Sequence, residues 1–339
     1  MSGWSTPRWW YAEHRGGVLL RLLLTPPSWI WTWAAARRIA RATPAEAGCP
    51  VICVGNLTLG GSGKTPVARE LLRRLRARGV NAHGLSRGHG GRLAGPTRVD
   101  PARHTAADVG DEPLMLARDA PMWVASDRPA GARAAHEGGA QAIVLDDGHQ
   151  NPSLKKALSL VVVDGETRGG ERPFGDFSVF PAGPMREPFE VGLARADAVV
   201  ILLPADLEAP SPDLLALFES RPVLIARLEP AAPPPPGPQL GFAGVAKPWK
   251  VERSLKAAGC AVVDFAPFPD HAPYGESDLA FLTARAETLG AGLVTTEKDW
   301  VRLSPAWRSK ITAWPVRARF EDEAALDVLL ERALKPASD

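Results

Sequence analysis

From residue 51 onward, this chain of 339 residues alternates between short continuous apolar runs and segments with apolar residues at helical spacing. Short continuous runs such as VICVG, AQAIVLDDG and LSLVVVDG predict buried strands, and the segments between them carry apolar residues at helical spacing. One such helix, TPVARELLRRLRARG, ends at Gly79. Because strands that alternate with helices form βαβ units, the pattern predicts an α/β fold with a mostly parallel sheet.

A proline-rich stretch, EPAAPPPPGPQL, interrupts this pattern at residues 229–240, since proline can continue neither a helix nor a central strand. A smaller α/β pattern follows, with ITAWPVRARF as its last strand and EDEAALDVLLERALK as its last helix. A cleft between two lobes is a natural place for a binding site. The predicted organisation is an N-terminal arm (1–42), a core (43–230), a linker (231–240) and a C-terminal lobe (241–339).

The N-terminal arm has an unusual composition, with six of the eleven tryptophans and six arginines against one acidic residue. Its longest uncharged run, LLLTPPSWIWTWAAA, has 15 residues and a break at Pro26 and Pro27. A membrane span needs about 20 apolar residues, so this run is too short. Tryptophan, leucine and arginine together favour a membrane interface with anionic lipid. The alternative is a helical arm that packs on the core.

The overall composition excludes some functions. A net charge of +2 gives no support for extensive nucleic-acid binding, and we expect no nucleic-acid partner. The three cysteines, Cys49, Cys53 and Cys260, lack the spacing of metal ligands, which favours a reduced, cytosolic environment.

A glycine-rich segment, GNLTLGGSGKTPVARELL, follows the first predicted strand and leads into a helix. It matches the end of the phosphate-binding loop pattern G-x-x-x-x-G-K-[ST], although Thr58 replaces the first glycine. Lys64 would reach the β- and γ-phosphates of a nucleotide, and the Thr65 hydroxyl would bind Mg²⁺. The backbone of the loop and the start of the helix would surround the phosphates. The predicted nucleotide-binding residues are Thr58, Leu59, Gly60, Gly61, Ser62, Gly63, Lys64 and Thr65.

Such a loop requires an acidic partner at the end of an apolar strand, and AIVLDD supplies Asp146 and Asp147. Together with Thr65, these carboxylates are the predicted magnesium ligands. GTPases recognise guanine with an Asn-Lys-x-Asp element, which TTEKD matches only in part, so guanine specificity has no support. Partition-type ATPases carry a second lysine near the start of the loop, where this chain has Thr58 and Leu59, so a dimeric switch ATPase is disfavoured.

Further short motifs remain that a phosphate-binding loop does not explain: LSRGHGG, VGDEP, SDR, LDDGHQ, PAGPMREP, FPDHAPY and TTEKD. In this order and spacing, from about residue 7 to about residue 305, the chain resembles the tetraacyldisaccharide 4′-kinase family of lipid A synthesis. The resemblance implies transfer of the γ-phosphate of ATP, with Mg²⁺, to the 4′-hydroxyl of tetraacyldisaccharide 1-phosphate, giving lipid IVA. It also implies a peripheral location on the cytoplasmic face of the inner membrane.

The same resemblance suggests roles for several residues. Asp111 of the GDEP motif and His271 of the PDH motif would pair to activate the acceptor hydroxyl. Arg186 and Glu187 would join Lys64 in catalysis, with Arg186 neutralising charge on the transferred group. Two arginines of other motifs would lie near the substrate or its phosphate: Arg87 and Arg128.

The chain also departs from the family pattern. His89 stands where tyrosine is expected, His149 replaces an aromatic residue, Asn151 replaces histidine, and Ala272 replaces a common second histidine. The GVAKP segment lacks a glycine found in many relatives. Two other functions stay open from the residues alone: a membrane-recruited nucleotide switch without catalysis, and a P-loop kinase for another lipid or sugar. A switch has no need of Asp111 and His271, so this pair separates the hypotheses.

Overall fold

Two sheets organise the protein in a computed structural model that describes residues 7–11, 15–166 and 173–335. The strands are β1 (Val51–Gly55), β2 (Ala82–Ser86), β3 (Thr97–Arg98), β4 (Met122–Val124), β5 (Ala142–Asp146), β6 (Leu158–Asp164), β7 (Ala198–Pro204), β8 (Val223–Pro230), β9 (Pro238–Ala243), β10 (Ala261–Pro267), β11 (Gly292–Thr296), β12 (Ile311–Trp314) and β13 (Val316–Phe320). The helices are α1 (Arg15–Arg41), α2 (Lys64–Ala77), α3 (Ala106–Val109), α4 (Asp111–Leu116), α5 (Arg128–Glu137), α6 (Phe189–Ala194), α7 (Pro212–Ala216), α8 (Pro248–Ala257), α9 (Glu276–Thr288), α10 (Glu297–Trp300), α11 (Pro305–Arg308) and α12 (Glu323–Leu334).

The larger sheet has nine strands in the order β13-β8-β7-β6-β1-β5-β2-β4-β3. Only its two edge pairs, β13 with β8 and β3 with β4, are antiparallel. β1 lies near the middle, between β5 and β6, and every one of its residues is buried. A central parallel strand is covered on both faces, which accounts for the continuous apolar run VICVG. The predicted α/β fold with a mostly parallel sheet is confirmed.

The main hydrophobic core lies between this sheet and the helices α2 and α12. Ile52 and Val54 of β1 pack there with Leu71 of α2 and Leu326 of α12. Full burial of such a side chain contributes about 1.5–3 kcal/mol relative to exposure. These contacts hold the end of β1 and the start of α2 in fixed positions, and the phosphate-binding loop connects these two elements.

The smaller sheet is parallel, in the order β10-β9-β11-β12. The predicted single strand ITAWPVRARF differs from the structure, because it divides at Pro315 into β12 and β13. β13 returns to the larger sheet, where it pairs with β8, a strand that the sequence did not predict. The strands of the smaller sheet fall within residues 238–314, and β9 begins within the predicted linker. Ion pairs join the lobe to the core, including Arg69 Nη1 to Glu297 Oε2 at 2.6 Å.

Helix α1 forms the N-terminal arm and continues through Pro26 and Pro27, where the sequence predicted a break. Both prolines lie on an exposed turn, so the carbonyl groups that lose their N–H donors can be solvated. The buried Ser28 fixes the helix to the core, because its Oγ lies 2.8 Å from Val179 O and accepts a hydrogen bond from Ala182 N.

Large apolar side chains are exposed along most of α1: Val18, Leu19, Leu20, Leu22, Leu23, Trp29, Ile30, Trp31 and Trp33. Within the described residues, no helix has the length and apolar character needed to cross a bilayer. Trp4, one of the six tryptophans of the predicted arm, and Glu13, its one acidic residue, lie outside the described residues.

Candidate active site

The glycine-rich loop lies between β1 and α2, as the sequence predicted. Gly63 precedes the first residue of α2, Lys64, and has a φ of 79°, in the left-handed region that favours glycine. A Cβ at Gly63 would also collide with the side chain of Leu202 on β7. The glycine thus allows the helix to begin at Lys64, so that its first N–H groups point into the loop.

Thr58 replaces the first glycine of the motif without strain, since it forms an isolated β-bridge with Met185. Neighbouring contacts fix this part of the loop: Leu59 N donates to Pro184 O at 2.7 Å, and Arg186 Nε donates to Thr58 O at 3.0 Å. Thr58 is β-branched, and β-branched residues suit the extended backbone of such a bridge. The PAGPMREP segment therefore supports one side of the phosphate-binding loop.

Asp147 lies beside two of the predicted catalytic residues, the cations Lys64 and Arg186. Arg186 donates to it from both Nη atoms, at 2.7 and 3.1 Å, and Lys64 Nζ lies 3.7 Å away. Burial would raise the pKa of Asp147, but the charges of Lys64 and Arg186 lower it to about 2. Burial lowers the pKa of Lys64, while Asp147 opposes that shift. Asp147 has a φ of 55°, a strained conformation that is frequent at functional sites.

Asp146 ends β5 with a buried carboxylate whose Oδ1 has no hydrogen-bond partner within the described protein. Burial, together with the nearby charges of Glu112 and Asp147, raises its pKa to about 7. Ser62 Oγ in the loop is likewise buried without a partner there. In the described ranges, no group of three or more His, Cys, Asp and Glu side chains forms a metal site.

An unpaired carboxylate oxygen beside Asp147 fits Mg²⁺, which prefers oxygen ligands and usually takes only one or two carboxylates besides phosphate and water. Thr65 lies in the first turn of α2 and is partly buried.

Asp111 and His271 come together across the two lobes. Asp111 is the first residue of α4 in the core, and its buried Oδ2 lies 3.0 Å from His271 Nδ1 of the lobe. Arg302 donates to the same Oδ2 from Nε at 3.0 Å and from Nη2 at 2.7 Å. Burial would raise the pKa of Asp111, but the His271 hydrogen bond and the charges of Lys298 and Arg302 hold it well below its usual value. Asp111 therefore stays ionised.

The other ring nitrogen of His271 also has a neighbour, since Lys298 Nζ lies 3.2 Å from His271 Nε2. Lys298 also donates to Glu112 Oε1 at 3.0 Å. The backbone of His271 has a φ of 57°, and its backbone N–H donates to Gly244 O. The lobe therefore holds this residue in an unfavourable left-handed conformation.

Glu112 connects the two halves of the site. Its charge adds to burial in raising the pKa of Asp146, and it opposes the lowering of the Lys64 pKa that burial causes. The phosphate-binding loop and the Asp111–His271 pair therefore belong to one interlobe site.

Glu187 differs in position from Arg186, although the two are adjacent in sequence. Glu187 is buried and accepts hydrogen bonds from Arg195 at 2.6 and 2.5 Å and from Gln150 Nε2 at 3.0 Å. Gln150 Oε1 in turn accepts from Arg186 at 3.3 Å. Gln150 thus links the Glu187 carboxylate to Arg186.

Arg128 is buried at the start of α5 and donates to Ala125 O and Ser126 O, while its Nε has no partner in the described protein. Burial and the charge of Arg87 lower the pKa of Arg128 to about 10, and the charge of Asp147 opposes this shift. These two cations and Asp147 therefore lie in the same region.

The departures from the family pattern fall in different environments. His89 lies at the site, with its ring 6.0 Å from the ring of His271. The glycines around it allow this approach, because a Cβ at Gly110 would lie 2.7 Å from His89 O. His149 is instead buried behind the loop, hydrogen-bonded to Ser159 and Gly192 O, and burial lowers its pKa to about 4. Asn151 caps the turn to Ser153.

The sequence predictions missed four residues that contact the site: Glu112, Gln150, Lys298 and Arg302. Glu112, Gln150 and Lys298 lie inside motifs already identified, VGDEP, LDDGHQ and TTEKD, but had no assigned role. Arg302 lies outside these motifs, and the one signal for it in the sequence is its position four residues after Lys298 of the TTEKD motif.

Comparison with known proteins supports this assembly of motifs. Residues 20–335 match a family model described as LpxK, tetraacyldisaccharide-1-P 4′-kinase. A tetraacyldisaccharide 4′-kinase from Caulobacter vibrioides is 70% identical over 96% of this chain and 98% of its own. One from Hyphomonas neptunium is 49% identical over 98% of each chain. The resemblance drawn from the motifs is confirmed.

Among solved structures, LpxK from Aquifex aeolicus in complex with ATP matches with a TM-score of 0.72 and 24% identity. The match covers 93% of this chain and 100% of the other. At this identity the comparison supports the fold alone, and it agrees with the predicted P-loop type.

Proposed function

The chain belongs to the tetraacyldisaccharide-1-P 4′-kinase family, and on that premise we propose that it transfers the γ-phosphate of ATP to the 4′-hydroxyl of tetraacyldisaccharide 1-phosphate, forming lipid IVA. The observation that carries this proposal is the pairing of Asp111 with His271 beside a phosphate-binding loop. A nucleotide switch needs the loop but no such pair, so the pair favours a kinase.

The glycine-rich loop binds the phosphates of the nucleotide. Backbone N–H groups of residues 60–65 and the start of α2 bind phosphate oxygens, and Lys64 and Arg186 neutralise charge on the transferred group. Both cations now contact Asp147, so phosphate binding redistributes their contacts. Thr65, Asp146 and Asp147 would hold Mg²⁺, which when bound neutralises phosphate charge.

The acceptor side belongs to the Asp111–His271 pair. Asp111 stays ionised and accepts the Nδ1 hydrogen of His271, so the lone pair lies on His271 Nε2, which takes the proton of the 4′-hydroxyl. Lys298 now lies at that nitrogen, and the hydroxyl takes its place when the acceptor binds. Glu187 acts indirectly, through Gln150, to hold Arg186 in place.

Arg87 and Arg128 bind anionic oxygens of the reactants. The unpartnered Nε of Arg128 and the mutual repulsion of the two guanidinium groups favour an anion between them.

Helix α1 mediates contact with the membrane that supplies the lipid. Its exposed leucine, isoleucine and tryptophan side chains suit insertion into the interface, and Arg37, Arg38 and Arg41 follow at its C-terminal end. Trp31 Nε1 donates to Arg186 O at 3.0 Å, so the helix lies directly against the site. We place the enzyme peripherally on the cytoplasmic face of the inner membrane, where ATP and anionic lipid meet.

The proposal is tested with ATP radiolabelled on its γ-phosphate and tetraacyldisaccharide 1-phosphate in mixed micelles. We expect label in the lipid with the wild-type protein and Mg²⁺, and none with an acceptor whose 4′-hydroxyl is replaced by hydrogen. Equal labelling of the two acceptors, or no labelling of either, would overturn the proposal.

A further inference from the structure

A buried guanidinium from the C-terminal lobe contacts Asp111, the carboxylate that orients the proposed base His271. The Arg302 side chain is only 9% exposed, and its Nε and Nη2 both donate to Asp111 Oδ2. His271 Nδ1 contacts the same oxygen, and Asp111 Oδ1 accepts from Glu112 N at 2.9 Å. Both oxygens of the carboxylate are thus occupied by donors, and two charge-assisted contacts to Oδ2 come from one arginine.

The lobe itself fixes the position of Arg302. Its Nη1 donates to Gly244 O at 3.1 Å and to Asp299 Oδ1 at 3.0 Å. Asp299 is completely buried, and the same oxygen accepts from Tyr274 Oη at 2.7 Å. Arg302 is therefore oriented before it meets Asp111, and it is the link between Asp299 in the lobe and Asp111 in the core.

A purely structural ion pair would also place an arginine here, but the geometry argues for more. Breaking a buried pair is costly, yet such pairs are often no more stabilising than apolar residues of similar volume. Arg69 already joins the lobe to the core through Glu297 on α10, two residues before Asp299. Arg302 differs from Arg69 in its target, since its donors fix the carboxylate that orients His271.

We propose that Arg302 is a positioning residue for proton transfer: it holds the Asp111 carboxylate against His271 Nδ1, so that His271 Nε2 is directed at the acceptor hydroxyl. This inference rests on the proposed kinase function. Arg302 acts through Asp111 and contacts no reactant. A lysine would keep the charge but would lose the two planar N–H donors that the guanidinium directs at Oδ2.

The first test compares Arg302→Met and Arg302→Lys with the matched control Arg69→Met, in the labelled-ATP assay with the full-length protein. General-base catalysis contributes about 10²–10⁴-fold, so we expect Arg302→Met to lower kcat by about 10²-fold with little change in the KM for ATP. Arg302→Lys should recover only part of the loss, and Arg69→Met should stay near wild type. Equal losses for Arg69→Met and Arg302→Met would assign Arg302 to lobe docking alone and overturn the inference.

The second test is a double-mutant cycle with Asp111→Asn. If Arg302 acts through the carboxylate, Arg302→Met should cost little further activity once Asp111→Asn is present, because residues that act as a unit are non-additive. Independent, multiplicative losses would overturn the inference. Thermal unfolding and binding of a fluorescent ATP analogue verify that each variant is folded, and Arg302→Lys replaces Arg302→Met in the cycle if the latter does not fold.

The proposed function and the role of Arg302 can be refuted separately. Absence of lipid phosphorylation by the wild-type protein would refute the proposed function. An active wild type that is inactivated by Asp111→Asn, but unaffected by Arg302→Met, would refute only the role of Arg302.

Discussion

Replacing three exposed apolar residues of α1 with serine should release the protein from anionic membranes without unfolding it. Leu22, Leu23 and Ile30 are 66%, 65% and 67% exposed, so their side chains contribute little to the core. Pro26, Pro27 and the buried Ser28 are unchanged in this variant. The fold and the contact of Ser28 with Val179 O should therefore persist.

The magnitude follows from the exposed surface. Full burial of a leucine or isoleucine side chain is worth about 1.5–3 kcal/mol, and about two thirds of each of these residues is still open to solvent. Each would gain about 1–2 kcal/mol on insertion, so the triple variant should lose about 3–6 kcal/mol, or about 10²- to 10⁴-fold in vesicle affinity. Arg37, Arg38 and Arg41 would leave a weak, salt-sensitive attraction of about 1 kcal/mol each.

Sedimentation with vesicles that contain anionic lipid measures this affinity at low and at high salt. The matched control replaces Val263, Phe281 and Val328 with serine, since these residues are 48%, 65% and 64% exposed on β10, α9 and α12. We expect the control to bind like wild type. Undiminished binding of the α1 variant, or an equal loss in the control, would refute the assignment of the membrane contact to α1.

Three further substitutions test the site. Lys64→Ala should lower kcat by about 10²–10³-fold in a folded protein because it removes charge from the transferred phosphoryl group, and near-normal turnover would exclude this loop from the reaction. Asp111→Ala and His271→Ala should each lower kcat by about 10²–10⁴-fold and the double variant little more, whereas additive losses would show that they do not act together. Asp146→Asn should raise the melting temperature of the nucleotide-free protein at pH 8 but not at pH 4. The folded-state pKa of Asp146 is raised from 3.8 to about 7, so wild-type stability falls as the pH rises through that interval. An equal effect at both pH values would contradict the pKa shift.

Local features of the sequence were sufficient to predict much of the core. The run VICVG is buried on both sides by neighbouring strands, and a short continuous apolar run of this kind is typical of a central parallel strand. The phosphate-binding loop needs only a strand, glycines and Lys64 at the start of a helix, all of them close in sequence. The position of Asp146 at the end of a buried strand was predictable for the same reason, because it follows directly from the apolar run before it.

Long-range contacts could not be predicted from the residues alone. Arg302 and Asp111 are 191 positions apart, and nothing in their neighbourhoods indicates that they meet. The pairing of Asp111 with His271 came from the family resemblance. The division of ITAWPVRARF between two sheets depends on the partner strands β8 and β11, which the local pattern does not contain. The continuous helix through Pro26 and Pro27 likewise depends on where the arm packs.

The position of the new phosphate on the product tests the proposed phosphoryl transfer most directly. After reaction of the wild-type protein with ATP, Mg²⁺ and tetraacyldisaccharide 1-phosphate, phosphorus–proton correlation NMR of the purified lipid identifies the sugar carbon that carries the added group. We expect a second phosphate on the 4′-oxygen and the original phosphate unchanged at position 1. A phosphate on any other hydroxyl, or ATP hydrolysis without a phosphorylated lipid, would contradict the proposed reaction.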